Sequence, residues 1–443
     1  MIYDNIAAIS SPRGIGAISV IRISGYNLLE ILKKLTKKEK IKPKYMYYGW
    51  IYEEQEKIDE ITFVYHENPN SYTGEDMIEI FGHGGDLITK SVFRRILKEN
   101  IREALPGEFS KRAVLNKKMN LIKAQAINDI INSKTEYSLN ASQKMFTGGI
   151  SKKIIEIKED ILNISARLEV EMDYPEDIEE DTFEIRKEIE NIKSKIENIL
   201  KNSENGIIAF NGIKTTIVGK PNSGKSTLLN ALLRKERAIV TDVPGTTRDT
   251  IEEMLNIKGI LIKLIDTAGI RNTEDQIEKI GIERSKKAIE ESDLVIFIID
   301  GNKKFDSEDT DILQFLNEKK KEKIIALNKI DKEYKDIKIE KEKIIKISAK
   351  NKQIEDLEKE IYERYSEKLY IKEPTLTNES HKNILEKVLK DVKSALEASK
   401  NNLTNDFIMY DLRNSLENIY KLTGENYTDE LLEKMFSNFC VGK

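Results

Sequence analysis

The sequence predicts a multidomain protein of mixed α+β and α/β class. Three kinds of pattern divide its 443 residues, a length sufficient for about three domains. Residues 1–118 mix short apolar runs with turns marked by Gly and Pro, which predicts an α+β domain. Residues 119–210 and 370–443 have helical periodicity and are expected to form one bundle. Residues 211–369 are expected to form an α/β domain inserted into that bundle.

The first domain is predicted from runs such as "GAISVIRI", "ITFVYH" and "DMIEIFG", which have the length of short strands. The bundle is predicted from apolar stripes at spacings of three and four residues, which form one face of a helix. These stripes are Ile157, Ile161, Ile164 and Leu168; Ile185, Ile189, Ile192, Ile196 and Ile199; Leu385, Val388, Leu389, Val392 and Leu396; and Leu431, Leu432, Met435, Phe436 and Phe439. An acidic stretch around Pro175 is expected to be a solvated loop that separates two of these helices.

Composition excludes several classes of protein. The formal net charge is −4, from 73 basic and 77 acidic side chains, so the overall charge predicts no affinity for nucleic acid, although a local basic patch remains open. A single cysteine cannot form an internal disulfide and fits a reducing compartment. The first residues lack a signal-peptide pattern, and no apolar run approaches the ~20 residues of a membrane span. We therefore expect a cytoplasmic protein without a membrane partner.

Residues 219–227, "GKPNSGKST", fit the phosphate-binding loop G-x-x-x-x-G-K-[ST] between a strand and a helix. Backbone N–H groups of such a loop point at phosphate oxygens. Lys225 is expected to contact the β- and γ-phosphates, and the Ser226 hydroxyl is a hard ligand for Mg²⁺. "TDVPGTTRD" at 241–249 lies where the first switch loop is expected, with Thr247 as the second Mg²⁺ ligand.

Three further motifs follow apolar strands of the same domain: "DTAG" at 266–269, "NKID" at 328–331 and "SAK" at 348–350. The Asp331 carboxylate can accept hydrogen bonds from N1 and the exocyclic N2 of guanine, which adenine cannot donate. Four ordered motifs predict a Ras-like P-loop GTPase domain and a GTP hydrolase. The predicted GTP contacts are Asn222, Ser223, Gly224, Lys225, Ser226, Thr227, Thr241, Asp242, Val243, Pro244, Gly245, Thr246, Thr247, Asp266, Thr267, Ala268, Gly269, Asn328, Lys329, Asp331, Ser348, Ala349 and Lys350.

One position departs from many small GTPases. Ile270 stands where those proteins have a glutamine that orients the attacking water, and no arginine finger is evident, although Arg248 or Arg271 could be argued. A monovalent cation could supply the missing charge. Its ligands would be Asn222, backbone oxygens of Thr241 and Val243, and Thr246. The alternative for Asn222 is an ordinary turn residue, and the residues alone leave both interpretations open.

The whole chain resembles the MnmE (TrmE) family of tRNA-modification GTPases. The resemblance is carried by "GIGAISVIRISG" (14–25), "NSYTGEDMIEIFGHGG" (70–85), "LPGEFSKRAVLNKKMNL" (105–121), the GTPase motifs and the closing "FCVGK". It implies a homodimer formed through an N-terminal domain like a tetrahydrofolate-binding domain. It also implies K⁺-stimulated GTP hydrolysis and an FAD-dependent partner, MnmG (GidA), in a heterotetramer or larger assembly. The complex would add a (carboxymethyl)aminomethyl group to C5 of the wobble uridine of tRNA, with the one-carbon unit from 5-formyl- or methylene-tetrahydrofolate.

The resemblance also implies site residues. It favours the K⁺ interpretation of Asn222, Thr241, Val243 and Thr246. It assigns the catalytic roles to Lys225 and to Glu278, which would orient or activate water through a bridging water. The alternatives are that Glu278 is an ordinary acid of a surface helix, or that the neighbouring Glu274 takes its role. Matching the motifs gives Arg22, Glu79, Lys118 and Lys443 as folate contacts, with the C-terminal tail docked rather than frayed. Phe436 and Phe439 are expected to anchor that tail. Cys440 would be a nucleophile or acid–base group in the modification, and its alternative is a small buried hydrophobe.

Two rival functions remain open from the sequence. One is a regulatory GTPase switch in RNA or ribosome assembly without covalent chemistry of its own, which predicts an RNA-binding module such as a KH domain that we do not find. The other is an aminomethyltransferase that merely carries a GTPase. Stimulation of GTP hydrolysis by K⁺ over Na⁺, lost in Asn222→Ala, distinguishes the ion-activated enzyme from both.

Overall fold

The computed structural model describes residues 4–12, 14–173, 182–235, 253–265, 286–335, 337–339, 342–425, 432, 435–437 and 439–442. The chain forms two compact units. Residues 1–128 and 413–443 make the first unit, and residues 129–412 make the second. The C-terminal residues therefore belong to the same unit as the N-terminal domain.

The first unit is built on a six-stranded sheet in the order β3-β4-β5-β2-β1-β6. All neighbouring strands are antiparallel except β1 and β6. Its elements are β1 Asn5–Ile9, β2 Ile18–Gly25, α1 Leu28–Thr36, β3 Met46–Glu53, β4 Glu56–His66, β5 Asp76–His83, α2 Asp86–Leu97, β6 Ile101–Glu103 and α3 Glu108–Leu115, followed by α4 Leu121–Asn132.

The two faces of this sheet differ in burial. Along β4, Ile61, Phe63 and Tyr65 are buried and alternate with half-buried residues, as the two-residue period of a strand requires. The buried side packs with α1 and α2 into an apolar core that includes Leu28, Leu32, Ile51 and Ile96. The opposite face carries Arg22 on β2 and Glu79 on β5, which the sheet register places side by side.

The second unit begins with helices whose apolar stripes are buried. The elements are α5 Glu136–Phe146, α6 Gly149–Asp173, α7 Thr182–Asn211 and α11 Glu379–Lys400, followed by α12 Asn405–Thr423, which continues into the first unit. The predicted stripes of α6 and α7 are buried at every position, and in α11 only Leu389 is half-buried. The helical part of the fold is thus confirmed by its burial pattern.

The α/β part of this unit is a six-stranded sheet in the order β12-β11-β10-β7-β9-β8, parallel except for the β8–β9 hairpin. The elements are β7 Ile213–Val218, α8 Lys225–Lys235, β8 Glu253–Ile257, β9 Ile260–Leu264, β10 Leu294–Asp300, α9 Ser307–Glu318, β11 Glu322–Asn328, β12 Ile344–Lys346 and α10 Glu355–Leu369. Because parallel strands end at one edge of a sheet, the loops after β7, β10, β11 and β12 lie close together. The predicted α/β domain is confirmed.

Within the described residues, no helix is both long enough and apolar enough to cross a bilayer.

Candidate functional site

The phosphate-binding loop connects β7 to α8, which begins at Lys225. Gly224 has φ +105°, and a Cβ there would lie 2.1 Å from Nδ2 of Asn328. Asn222 also has a left-handed backbone, with φ 62°, and its side chain is exposed at the turn. The loop therefore needs glycine at position 224 for close approach, and it presents the Asn222 side chain to the surroundings.

Lys225 is held by its own loop. Its Nζ donates to the carbonyl oxygens of Gly219 at 2.8 Å and Lys220 at 2.9 Å. Burial lowers the pKa of Lys225, because removal from water disfavours the charged amine. An anionic phosphate in the loop would offset that penalty. The position of Lys225 therefore suits a cation that pairs with a bound phosphate.

The motif residues at the end of β11 join the phosphate-binding loop to the loop after β12. Asn328 is buried; its Nδ2 donates to the Ser223 carbonyl at 2.9 Å, and its Oδ1 accepts from the Ala349 amide at 3.0 Å. Lys329 Nζ donates to the Asn222 carbonyl at 2.8 Å. One motif thus fixes two loops that are 21 or more residues away in sequence.

The Asp331 side chain is a charged hydrogen-bond acceptor. The Ser348 hydroxyl donates to its Oδ1 at 2.6 Å, and this hydrogen bond lowers the pKa of the Asp331 carboxyl group. The carboxylate is exposed and charged at neutral pH. On the loop after β12, Lys350 is also exposed, while Ser348 and Ala349 are buried. The arrangement fits the predicted recognition of guanine, with an acceptor facing the two N–H groups of the base.

Three acidic residues of this site were not predicted from the sequence. Asp300, the last residue of β10, accepts from Lys329 Nζ at 2.7 Å. Lys220 of the phosphate loop pairs with Asp306 at 2.6 Å and with the buried Asp309 at 2.8 Å, both at the start of α9. Two sequence patterns could have indicated them. Asp300 is an acid at the end of an apolar strand, and Asp306 and Asp309 form a D-x-x-D pattern that is a capping box at the start of α9.

Several predicted site residues lie outside the described residues. They are Thr241, Asp242, Val243, Pro244, Gly245, Thr246 and Thr247 of the first switch, Asp266, Thr267, Ala268 and Gly269 of the "DTAG" motif, Glu278 and Lys443, together with Ile270, Arg248 and Arg271. Their roles stay predictions. Of the remaining residues, Ser226 and Thr227 occupy the first turn of α8.

On the N-terminal sheet, Arg22 and Glu79 form an ion pair. Arg22 Nε donates to Glu79 Oε1 at 2.9 Å, and His66 Nε2 lies 3.4 Å from Glu79 Oε2. Both side chains of the pair are only about one-fifth to one-quarter exposed. Lys118 contacts a different segment, where its Nζ donates to the Pro69 carbonyl at 2.8 Å. His66 was not predicted from the sequence, because its position beside Glu79 depends on the register of β4 against β5.

The C-terminal tail reaches this ion pair. The Gly442 carbonyl accepts from Ser10 Oγ at 3.1 Å and lies 3.5 Å from Arg22 Nη1. Phe436 and Phe439 are buried with ring centroids 4.6 Å apart, so both are anchors as predicted. Cys440 is exposed, which excludes the alternative of a small buried hydrophobe. The docked tail therefore brings an accessible thiol to the N-terminal domain.

Gly107 makes this docking possible, and its replacement tests it. Gly107 has φ +67°, and a Cβ there would lie 2.8 Å from both the Phe436 carbonyl oxygen and the Phe439 Cβ. We expect Gly107→Ala to weaken the docked tail by about 1–3 kcal/mol, from backbone strain and the close contact. Hydrogen exchange of residues 435–442 should become faster, whereas Gly148→Ala, whose Cβ would meet nothing within 4 Å, should leave that exchange unchanged. Equal protection in the Gly107 variant would contradict the contact.

The "YTGED" and "LPGEFSKRA" motifs meet around a buried arginine. Arg112 is 1% exposed; its guanidinium donates to Glu75 at 3.1 Å, to Glu108 at 3.0 Å and to the Asp4 side chain at 2.7 Å. Glu75 also accepts from Ser24 Oγ at 2.8 Å. The charged residues of these two motifs therefore hold β1, α3 and the 72–75 loop together. This structural role was not predicted from the sequence.

The family of the chain follows from comparison with known proteins. Residues 121–440 match the description "MnmE helical domain", and residues 5–118 match "GTP-binding protein TrmE N-terminus". A Petrotoga mobilis protein named tRNA modification GTPase MnmE is 55% identical over 452 residues, with 100% of each chain covered. The chain belongs to the MnmE family. Proteins of the same name from Thermotoga maritima and Clostridioides difficile are 40% and 42% identical, cover 99% and 100% of this chain, and are themselves fully covered.

Membership of the MnmE family fixes the enzyme class. The chain is a GTP hydrolase, and its family is one of tRNA modification GTPases. The P-loop geometry described above agrees with this class, because Lys225, Asn328 and Asp331 are placed by one sheet edge. The two matched regions agree with the predicted N-terminal and helical domains, and the P-loop sheet agrees with the predicted G domain.

A histidine in this MnmE family member provides a pH test of the N-terminal sheet. The buried Asp59 carboxylate accepts from the His83 backbone amide at 3.0 Å and lies 2.6 Å from ring Nδ1. Its hydrogen bond and its charge raise the pKa of His83. The pair should therefore contribute stability fully below the ordinary pKa of about 6.5, and that contribution should be lost as pH rises through the raised value.

We expect an NMR titration to show His83 protonated above that ordinary value, and Asp59→Asn to bring its pKa back down. His381 is an internal control, because burial lowers its pKa to about 4 and it should stay neutral throughout. If the pKa of His83 is the same in Asp59→Asn as in the wild type, the pairing is refuted.

Proposed function

We propose that this chain is a K⁺-stimulated GTPase that works as a homodimer with an FAD-dependent partner of the MnmG (GidA) type. The complex would install the (carboxymethyl)aminomethyl group at C5 of the wobble uridine of tRNA, using a tetrahydrofolate one-carbon unit. The observation that carries the proposal is that one chain combines the Asn328 and Asp331 contacts of a P-loop GTPase with a partly buried Arg22–Glu79 ion pair on the N-terminal sheet. Either part alone would fit a simpler GTPase or a simpler transferase.

The phosphate-binding loop and the first turn of α8 offer one ligand for each of two proposed cations. Hydroxyl and amide oxygens are the hard ligands preferred by Mg²⁺ and K⁺, and the exposed Asn222 side chain and Ser226 at the start of α8 offer them. Ser226 and Thr247 would hold Mg²⁺, and Asn222, Thr241, Val243 and Thr246 would hold K⁺. When bound, the ions supply positive charge that stabilises the developing charge on the phosphates.

The chain's own residues would perform the other steps of GTP cleavage. Lys225 would leave the carbonyls of Gly219 and Lys220 and donate to phosphate oxygens, since those carbonyls are weaker acceptors than a phosphate. Glu278 would orient the attacking water through a second water, because Ile270 has no polar group for that task. Nucleotide cleavage would then drive association and dissociation of the two G domains in the dimer.

The N-terminal sheet would bind the folate. The Glu79 carboxylate can accept the N–H pair of a pterin ring, which presents the same donors as guanine. Arg22 holds that carboxylate in place at 2.9 Å, and Arg22, Lys118 and Lys443 suit the acidic tail of the folate or its ring oxygen. The exposed Cys440 follows the two anchoring phenylalanines and would act as nucleophile or acid–base group.

Wobble nucleosides of tRNA from cells that lack this protein provide the test. We expect mass spectrometry to show loss of the hypermodified uridine and its return with the wild-type gene. Complementation with Glu79→Gln should fail although GTP hydrolysis persists, whereas Glu56→Gln at an exposed position of β4 should succeed. Unaltered hypermodified uridine in the deletion strain would refute the proposed function.

A further inference from the structure

A dense basic segment joins α1 to the edge strand of the N-terminal sheet. Residues 33–44 contain seven lysines and one glutamate, in a chain whose net charge is −4. Lys33 and Lys34 pair with Glu30 and Glu99. Among the described residues, none of the five lysines from 37 to 44 forms an ion pair, so their charge is not neutralised within this part of the structure.

Exposed aromatic and apolar side chains adjoin these lysines. β3 is the first strand of the sheet order, so one of its edges is unpaired within the described sheet. Tyr45, Met46 and Tyr48 are 61%, 65% and 63% exposed. Lysines lie over neighbouring rings: Lys38 is 5.1 Å from the Tyr47 centroid and Lys57 is 4.4 Å from that of Trp50. We call residues 37–48 the lysine–tyrosine edge.

The combination indicates the kind of partner. Unpaired lysines attract a polyanion, and flat exposed rings stack on unpaired bases, which are the two contacts of proteins that bind single-stranded or looped RNA. A second copy of the chain is disfavoured, because a self-complementary contact would bring the same lysines together. An acidic protein would satisfy the lysines but would not need the exposed tyrosine faces.

We propose that the lysine–tyrosine edge binds tRNA, with the lysines on backbone phosphates and with Tyr45 and Tyr48 stacked on bases of a loop. This inference rests on the proposed function, in which tRNA is the substrate, and it names the surface that holds it. The edge belongs to the same sheet as the Arg22–Glu79 pair. RNA held there would lie along the domain that carries the proposed one-carbon site.

The test measures tRNA binding by the full-length protein at several salt concentrations. Lys38, Lys40 and Lys42 are replaced together by Gln, which avoids the left-handed positions Lys37 and Lys44. We expect the affinity to fall about tenfold to a hundredfold at low salt, and the slope of log K against log salt to decrease by about two. Tyr45→Ala with Tyr48→Ala should lower the affinity about tenfold with little change in slope.

The matched control replaces three exposed lysines of the second unit, Lys303, Lys304 and Lys372, by Gln. It should leave tRNA affinity within about twofold of the wild type, and GTP hydrolysis without tRNA should stay unchanged in every variant. Trp50, the only tryptophan, gives a second readout, because bound bases beside β3 should quench its fluorescence.

Four results would overturn the proposal. They are an unchanged affinity and slope in the lysine variant, an equal loss in the control, a wild-type chain that binds no tRNA at any salt concentration, and a lysine variant whose sedimentation shows a lost dimer instead. Failure of the proposed function is distinguishable from these. Suppose that deletion cells keep the hypermodified wobble uridine while the lysine variant has lost its affinity for tRNA. That result would refute the proposed modification chemistry but would still support tRNA binding by the lysine–tyrosine edge.

Discussion

Asp331→Asn is expected to change the nucleotide preference from GTP to xanthosine triphosphate by a factor on the order of 10⁴. The wild-type carboxylate accepts a hydrogen bond from the Ser348 hydroxyl at 2.6 Å, and we expect it to face two N–H groups of bound guanine. An asparagine would set an amide N–H₂ against the guanine N2 amine, so two donors would meet. Xanthine has a carbonyl oxygen at that position, which the asparagine amide can satisfy.

Equilibrium binding of fluorescent GTP and its xanthine analogue measures this change. Asp356→Asn, which removes an exposed acid from the first turn of α10, is the control for charge alone and should retain the preference for GTP. If Asp331→Asn binds GTP as tightly as the wild type, the assignment of the base-recognition loop is wrong.

Arg112→Met is expected to destabilise the N-terminal unit by about 3–5 kcal/mol. The side chain is fully enclosed, and its removal would leave the buried carboxylates of Glu75 and Glu108 without their shared cation. Arg102 would still pair with Glu108, so Glu75 would bear most of the penalty. Methionine keeps much of the volume, which separates the loss of charge from the creation of a cavity.

Urea denaturation followed by Trp50 fluorescence measures this effect, because the single tryptophan lies on β3 and reports on this unit. Arg94→Met, at an exposed position of α2, should change the free energy of unfolding by less than about 0.5 kcal/mol. A loss below about 1 kcal/mol in Arg112→Met would mean that the network does not hold the motifs together.

The sequence was informative where a rule links local pattern to position. Lys225, Asn328 and Asp331 follow apolar runs, and the carboxyl ends of parallel strands share one edge, so their proximity was predictable without coordinates. The helical stripes were predictable for the same reason, because Ile189 and Ile196 recur with the period of a helix. In both cases the relevant geometry is set within one element or one sheet.

Contacts that depend on strand register, or on the burial of a charged side chain, were harder to predict from the sequence. Arg22 and Glu79 are 57 residues apart, and only the pairing of β2 with β5 places them together. Without the family resemblance each would have been interpreted as a surface charge. Arg112 is a stronger case, because no pattern in the sequence separates a buried, paired arginine from a solvated one. The docking of the C-terminal tail was likewise predicted only from the resemblance.

We propose that Asn222 holds a potassium ion that supplies the charge of an arginine finger. The decisive measurement is GTP turnover by the wild type, Asn222→Ala and Asn383→Ala in K⁺ and in Na⁺ at equal ionic strength. Asn383 is the matched control, because it is an exposed asparagine of α11 and is not a predicted site residue. We predict that K⁺ raises wild-type and Asn383→Ala turnover roughly 10²-fold over Na⁺, and that Asn222→Ala loses this gain. Equal rates in the two salts, or full stimulation of Asn222→Ala, would contradict the account.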